Sequence, residues 1–406
     1  MGNNEKTIYL HIGMPKTGSS SIQWFLFKNR KKLINYDVFY PIIKTNQDEL
    51  LGLKFVNLRK ALIKVLPDGI EKFNKFFEDN FLNQINENNC SKIILSEEKL
   101  FSLKSTDVVD IMLKYGFNVK VIVYFRNPVD FLASQWQENT KPYTGFFNTT
   151  IDKYLNEANA NYPLILKYIE KLGKDNVIIR PFEKEQWKNG DLIEDFLSVL
   201  GVENSDDFEK NEKQNTSYNR DLAEFMLLLK SLKLDKEILT QLVYEYAEYV
   251  VPKEELSEHD NNSLSELSLA IEKNTPKNPK VTDTVSDETK RQVIEKYRDV
   301  ILQIENCYGG ERLFKTYNYD GNFEEENQKY DKAELTYEQL KILNKAINYT
   351  TANYNILQCE KDIFENELKK IEEETFPFYK NLFSVQKSGN NKVIRILGFK
   401  ITVKNN

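Results

Sequence analysis

The sequence predicts an α/β protein in which a parallel central sheet is flanked by helices, with a helical extension at the C-terminus. Three observations support this fold class. Four short apolar runs are rich in β-branched residues, as in strands buried on both faces. The segments between them repeat Phe and Leu every three or four residues, as amphipathic helices do. The 406 residues, 40% of them hydrophobic, suffice for a large α/β domain plus an accessory segment.

The four predicted strands are residues 7–13, 92–96, 118–125 and 176–181. The first is followed by a loop rich in Gly and Ser and then by the helical pattern "SIQWFLFKNRKKLI". Ligands of parallel sheets bind beyond the carboxyl ends of the strands. We therefore expect the functional residues in the segments that follow these strands.

The C-terminal quarter of the chain differs in character from the rest. We predict an α/β domain over 1–315, a helical hairpin or coiled-coil extension over 316–385, and a basic, β-rich tail over 386–406. A charged helix pair of this kind favours homo-oligomerisation or partner binding. The basic tail suits peripheral contact with anionic lipid headgroups or packing as an edge strand, and we favour packing or oligomerisation over membrane contact.

Composition excludes several classes of function. A net charge of -6 argues against a nucleic-acid partner, since such proteins usually carry a basic face. Three scattered cysteines and two histidines predict neither disulfides nor a metal site. The N-terminus does not resemble a secretory signal, and no apolar run is long enough to span a membrane. A cytoplasmic location is expected.

The loop "GMPKTGSSS" (13–21) nearly matches the nucleotide-binding pattern G-x-x-x-x-G-K-[ST]. Gly13 and Gly18 keep its spacing, but Ser19 occupies the position of the lysine and Lys16 lies inside the loop. A strand, a tight turn and a helix N-terminus direct backbone N–H groups at a phosphate or sulfate. The alternative is a serine-capped turn, which does not account for the lysine. The predicted anion ligands are Pro15, Lys16, Thr17, Gly18, Ser19, Ser20 and Ser21.

A second motif is "VIVYFRNPVDFLASQW" (121–136). Arg126 follows a buried strand directly, and Ser134 lies two turns along the helix that Pro128 begins. Arginine at this place is suited to bidentate binding of phosphate. The alternative is a surface salt bridge between Arg126 and Asp130 on the same helix.

Together the two motifs resemble the cosubstrate signature of sulfotransferases that use 3′-phosphoadenosine 5′-phosphosulfate. This resemblance implies a P-loop NTPase-like fold, a first loop that holds the phosphosulfate with Lys16 at its bridging oxygen, and a 3′-phosphate held by Arg126 and Ser134. Serines at 19 and 20 replace the commoner threonines. Segments 176–202 and 311–314 resemble bacterial members that act on carbohydrates. The implied activity is carbohydrate sulfation, with a glycan or glycolipid hydroxyl as acceptor, as in polysaccharide biosynthesis.

Candidates for a general base lie in "ILSEEKLF" (94–101). In sulfotransferases a His or Glu holds this role, often after the strand that precedes the arginine strand, which makes Glu97 the first candidate and Glu98 the second. One of the two is nearly as well explained as a helix cap. His11 is a third candidate, although a single histidine within a strand is more often structural.

Two further segments are candidates for contact with the ligands. The first, "KQNTSYNR" (213–220), is a polar loop that reads equally well as a solvated connection, and its possible donors are Asn215, Ser217 and Arg220. The second comprises Trp136, Gln137 and Lys141, which could shape an acceptor cleft. Trp136 is explained at least as well as a core residue.

The sequence is compatible with two other functions. A P-loop kinase or other NTP-dependent transferase is disfavoured, because Ser19 replaces the lysine and no strand ends in a clear magnesium-binding aspartate. A non-catalytic scaffold that keeps the fold is a third possibility, which Lys16 and Glu97 argue against.

Overall fold

The computed structural model describes residues 6–42, 69–102, 106–203, 207–209, 217–257, 263–276, 280–315, 335–353, 383–388, 391–396 and 399–404. In chain order the helices and strands of these residues are β1 (Thr7–His11), α1 (Ser19–Leu33), β2 (Val38–Phe39), α2 (Ile70–Phe77), α3 (Asn83–Glu87), β3 (Lys92–Ser96), α4 (Asp107–Lys114), β4 (Asn118–Phe125), α5 (Pro128–Thr140), α6 (Ile151–Glu157), α7 (Pro163–Leu172), β5 (Val177–Pro181), α8 (Leu192–Val199), α9 (Arg220–Ser231), α10 (Lys236–Val250), α11 (Lys253–Ser257), α12 (Leu264–Asn274), α13 (Asp287–Cys307), α14 (Tyr337–Asn353), β6 (Phe383–Ser388), β7 (Asn391–Ile396) and β8 (Phe399–Lys404).

The central sheet has five strands in the order β2-β3-β1-β4-β5, and every neighbouring pair is parallel. This confirms the predicted α/β class with helices around a parallel sheet. Strand β1 lies between β3 and β4, with Thr7 opposite Lys92 on one side and Asn118 on the other. The loop after β1 is therefore flanked by the segments that follow β3 and β4.

The observed strands agree closely with the predicted ones. Strands β3 and β4 have the predicted bounds, β5 begins one residue later, and β1 ends at His11 instead of Gly13. Strand β2 was not predicted, because a pair of residues at the sheet edge is too short to show periodicity.

The core on one face of the sheet comes from α1 and α8. Ile22, Phe25 and Leu26 of α1 are buried against strand side chains, together with Phe196 and Leu197 of α8. Their spacing of three and four residues is the amphipathic pattern that predicted α1. This packing holds the start of α1 against the end of β1.

The chain divides into two compact units, with boundaries inside α5 and α13. The first unit comprises the described residues of 1–131, 159–215 and 291–321 and contains the five-stranded sheet. The second comprises those of 132–158, 216–290 and 322–406.

Within the second unit α10 packs against α12 and α14, and β6, β7 and β8 form an antiparallel sheet. Helix α14 lies within the predicted helical extension, whereas β6 begins at Phe383, before the predicted start of the β-rich tail. The domain boundaries at 315 and 385 stay predictions, since 316–334 and 354–382 lie outside the described residues. No helix in the described ranges is long and apolar enough to cross a membrane.

Candidate functional site

The loop between β1 and α1 requires glycine at both ends. Gly13 and Gly18 have φ angles of 95° and 73°, in the left-handed region that favours glycine. A Cβ on Gly13 would lie 3.2 Å from Glu98 Cα, and one on Gly18 would lie 2.3 Å from Leu192 Cδ2. The loop is therefore enclosed by the segment after β3 on one side and by α8 on the other.

Hydrogen bonds fix the loop backbone to the sheet. Tyr124 N–H donates to the Gly13 carbonyl at 2.8 Å, and Met14 N–H donates to the Tyr124 carbonyl at 3.1 Å. The buried Thr17 donates through Oγ1 to the Met14 carbonyl at 2.6 Å. Thr17 was predicted as an anion ligand, but its hydroxyl proton is already donated within the loop. Lys16, half-buried with φ of 63°, is the non-glycine residue of the loop in the left-handed region.

The first turn of α1 is open towards the loop. Gly18 is the N-cap, no side chain caps the helix, and no acidic residue lies in its first turn. The first bond of the helix runs from Ile22 N–H to the Gly18 carbonyl at 3.1 Å, so the preceding N–H groups have no acceptor within the helix. Ser20 is exposed and Ser21 half-buried, whereas Ser19 is buried. This end of the helix carries the positive pole of its dipole, which attracts an anion.

Arg126 joins the two sequence motifs. Its Nη1 donates to the Lys16 carbonyl at 2.9 Å, its backbone N–H contacts Met14 Sδ at 3.4 Å, and its guanidinium carbon lies 5.5 Å from the centroid of the Phe182 ring. Burial lowers the pKa of this guanidinium from its ordinary value, partly offset by Asp130. The structure therefore places a desolvated cation against the loop, beside Lys16.

Asp130 has a role other than the predicted alternative of pairing with Arg126. Its backbone N–H donates to Asn127 Oδ1 at 2.9 Å, and its carboxylate accepts from Asn127 Nδ2 at 2.8 Å. These bonds cap the start of α5, where Pro128 is the first helical residue. In the described part of the chain the guanidinium of Arg126 forms no salt bridge with this carboxylate.

The two candidate glutamates after β3 have different surroundings. Glu97 is fully buried, and its Oε1 accepts from Lys99 N–H at 3.0 Å, which caps the short 3₁₀ turn that follows. Glu98 is half-buried and accepts a hydrogen bond from the Ser19 hydroxyl at the start of α1. The capping alternative thus describes Glu97, while the carboxylate of Glu98 contacts Ser19 at the end of the loop after β1.

His11 lies inside the core. Its side chain is fully buried, Nδ1 is 2.8 Å from Ser96 Oγ, and Phe196 packs edge-on with its ring centroid 5.6 Å away. Burial lowers the pKa of His11 to about 3, so the ring is neutral at physiological pH. His11 thus has the surroundings of a structural core residue, and its role as a base stays a prediction.

Three of the remaining predicted residues, Ser134, Ser217 and Arg220, belong to the second unit. Ser134 is half-buried on α5, and Ser217 is exposed ahead of α9. Arg220, a possible donor, is buried and ion-paired with Asp221 at 2.7 Å. Asn215 lies outside the described residues. Roles for Ser134 and Ser217 stay predictions.

The three residues expected to shape an acceptor cleft are engaged within the second unit. Trp136 is buried and donates to the Thr149 carbonyl at 2.7 Å, which fits the core alternative. Gln137 is buried and donates to the Tyr218 carbonyl. The ammonium of Lys141 is 3.1 Å from a carboxylate oxygen of each of two glutamates, Glu138 and Glu272.

Sequence reasoning missed two residues that hold Arg126. Phe182 lies under its guanidinium, and Tyr162 donates to its backbone carbonyl at 2.7 Å. Phe182 could have been predicted from the sequence, because it directly follows β5 at the carboxyl edge of the sheet. The second, ahead of α7, has no local signal. Among the described residues, no group of three or more His, Cys, Asp or Glu side chains is placed to hold a metal ion.

No family model matches the chain, and no curated protein gives a significant match. A crystal structure of a sulfotransferase from Alicyclobacillus acidocaldarius has 16% identity and a TM-score of 0.32, over 52% of this chain and 84% of that one. The sulfotransferase domain from the Synechococcus PCC 7002 olefin synthase has 14% identity and a TM-score of 0.30, over 72% of this chain and 95% of that one.

Proposed function

We propose that this chain is a sulfotransferase that moves a sulfuryl group from 3′-phosphoadenosine 5′-phosphosulfate to a hydroxyl of a glycan or glycolipid. The observation that supports it best is the contact of Arg126 Nη1 with the Lys16 carbonyl, at 2.9 Å. It brings the arginine motif to the very loop whose lysine is displaced from the nucleotide-binding position. The Arg126 guanidinium, the uncapped N-terminus of α1 and the backbone of Lys16 thus lie at one loop.

In this proposal the cosubstrate is bound by residues suited to anions. The loop N–H groups and the first turn of α1 take the phosphosulfate, and Lys16 reaches the oxygen that bridges phosphorus and sulfur. Arg126 uses one guanidinium nitrogen to hold the loop, which leaves Nε and Nη2 for the 3′-phosphate. Ser134 and Ser217 are further proposed donors to the 3′-phosphate.

The transfer needs positioning, charge stabilisation and one proton acceptor. The acceptor oxygen forms a bond to sulfur while the bond from sulfur to the bridging oxygen breaks, in line with the attack. Lys16 and the helix N-terminus stabilise the charge that develops on the leaving phosphate. We propose Glu98 as the base that takes the acceptor proton, because its carboxylate lies at the loop whereas that of Glu97 caps a turn.

Calorimetric titration with adenosine 3′,5′-bisphosphate, the product of transfer, tests the cosubstrate site. The wild-type protein should bind it, and Arg126→Ala should weaken binding at least ~30-fold, because a desolvated charge-assisted hydrogen bond contributes about 2 kcal/mol. Lys16→Ala should also weaken binding. Arg298→Ala is the matched control, since Arg298 pairs with Glu295 on α13 instead of contacting the loop.

A parallel titration with ATP and Mg²⁺ separates the competing functions. Binding of ATP without binding of the bisphosphate would favour a kinase, and binding of neither would favour a scaffold. Bisphosphate binding that Arg126→Ala leaves intact would contradict the assignment of this arginine. Turnover of the sulfated cosubstrate with a panel of glycans then tests the acceptor class.

A further inference from the structure

A cavity of about 850 Å³ lies within the second unit, formed by the loop after α5, the end of α9 and the starts of α10 and α12. Neither the proposed cosubstrate site nor the sequence motifs include it. Aromatic, basic and hydroxyl side chains line it, among them Tyr143, Phe146, Lys230, Lys233, Lys236 and Ser263.

The lining of the cavity is positively charged. Lys230, Lys233 and Lys236 contribute to it, and no Asp or Glu does. Lys236 and Leu264 are the first residues of α10 and α12, so two helix N-termini with their positive poles contribute to the same wall. The acidic residues of those first turns, Glu237 and Glu266, do not line the cavity.

Lys230 is a buried cation held by neutral groups. Its side chain is 5% exposed, and Nζ donates to the carbonyls of Asn139 and Lys141 and to Thr144 Oγ1, at 2.5, 2.9 and 2.7 Å. No carboxylate in the described part of the chain forms an ion pair with it, and burial lowers its pKa to about 8. A buried charge without a counter-charge is costly, and an anion in the cavity would stabilise it.

Two exposed aromatic rings lie at the same cavity. Tyr143 and Phe146 are 42% and 56% exposed. The Lys233 ammonium lies 5.1 Å from the centroid of the Phe146 ring, and the Tyr143 hydroxyl donates to Glu138 at 3.0 Å. Both rings are thus held by polar contacts and offer flat apolar faces beside cations. Binding pockets commonly combine aromatic walls with a few placed polar groups.

We propose that this cavity binds an anionic saccharide, a sugar that carries a carboxylate or phosphate group. Lys233 and Lys236 contact the anionic group, the exposed rings of Tyr143 and Phe146 pack on the sugar face, and Ser263 and Ser265 offer hydroxyls to those of the sugar. Lys230 forms the charged wall behind the anion without donating to it, because its three bonds are already made. This site does not depend on the proposed sulfotransferase activity.

Titration of the full-length protein by calorimetry tests the site without any turnover. The probes are glucuronate and glucose 6-phosphate, compared with glucose and with inorganic phosphate. We expect saturable binding of at least one anionic sugar, at least tenfold tighter than either glucose or phosphate. The double variant Lys233→Gln/Lys236→Gln and the single variant Phe146→Ala should each weaken this binding at least tenfold, with unchanged circular dichroism.

Two controls locate the sugar. Lys253→Gln alters another lysine that begins a helix of the same unit, and it should leave the affinity unchanged. Lys16→Ala should do the same, and a loss there would place the sugar in the loop after β1 and overturn the proposal. The proposal also fails if no anionic sugar binds at millimolar concentration, if phosphate alone binds as tightly, or if Phe146→Ala has no effect.

Discussion

Glu97 and Glu98 are adjacent in sequence, yet neighbouring side chains give them different tasks. The segment after β3 turns at once into a 3₁₀ helix, so one carboxylate faces inward to cap the turn and the other faces the start of α1. A contact of Glu98 with Ser19 needs Gly13, because a side chain there would meet Glu98 at 3.2 Å. The sequence analysis predicts Glu97 as the first candidate for the general base and Glu98 as the second. Their different surroundings become visible only from the contacts in the folded chain.

We predict that Glu98→Gln reduces the rate of sulfuryl transfer by about 10²- to 10⁴-fold, as expected for loss of a general base. Bisphosphate affinity should stay within about threefold of wild type, since Glu98 is not proposed to bind the cosubstrate. Glu97→Gln should retain activity, because the amide oxygen still accepts from Lys99 N–H. The transfer rates of both variants are measured as release of the bisphosphate in the presence of a glycan that the wild type accepts. Normal turnover by Glu98→Gln, with loss in Glu97→Gln, would return the base to Glu97.

Burial of His11 predicts a pH-dependent stability. Its pKa is about 3 in the folded chain and about 6.5 in the unfolded one, so the unfolded chain binds more protons between these values. The free energy of unfolding therefore has its full value above about pH 6.5 and decreases as the pH falls below it. Between pH 6.5 and about pH 5 the wild type should lose about 2 kcal/mol more of its free energy of unfolding than His11→Phe. Urea titrations at both pH values measure this difference. If the wild type and His11→Phe lost the same free energy of unfolding, His11 would be protonated in the folded chain as readily as in the unfolded one.

At the scale of elements, Asp195 ties α8 to two strands. The buried carboxylate accepts from Tyr124 Oη of β4 at 2.8 Å and from Arg180 Nε of β5 at 2.9 Å. It also accepts from Lys188 N–H at 3.0 Å. Burial, then the neighbouring carboxylate, raise the pKa of Tyr124 well above its ordinary value, which keeps the hydroxyl as a donor. Because Leu192 of the same helix closes on Gly18, this network positions the loop indirectly.

Asp195→Ala should lower the free energy of unfolding by about 3 kcal/mol, since it leaves Arg180 and Tyr124 without their acceptor. Tyr124→Phe removes one bond to a charged group and should cost only about 1.5 kcal/mol. Urea unfolding compares the two variants with Glu194→Ala, a half-buried neighbour on α8, for which we expect less than about 0.5 kcal/mol. Equal losses for Asp195→Ala and Glu194→Ala would contradict the role of this network.

At the scale of the whole molecule, the first unit is organised around a parallel sheet with β1 at its centre. Its edges are β2, with two residues, and β5, whose residues after Val177 are half-buried. Strand β4, by contrast, is buried from Val121 to Phe125. The candidate site thus rests on the interior strands, which suits a site that has to hold its geometry.

Hydrogen exchange followed by mass spectrometry should reflect this order. Peptides from β1, β3 and β4 should exchange most slowly, because their amides open only in large unfolding events, and those from β2 and β5 should exchange faster. The comparison is internal to one protein and needs no ligand. Exchange from β2 as slow as from β4 would contradict the observed strand order.

Local sequence determined the strands, the loop and the amphipathic helices, because apolar periodicity and glycine spacing act over a few residues. It also placed Lys16 and Arg126 at the ends of strands, and the resemblance of their motifs suggested the chemistry. The order of the strands was decided only by tertiary structure, since it depends on pairing between residues far apart in the chain. The same holds for the contact of Arg126 with the loop, the separate surroundings of Glu97 and Glu98, and the cavity around Lys230. Each of these arises where segments distant in sequence exclude water from one another, and no local pattern records which segments will meet.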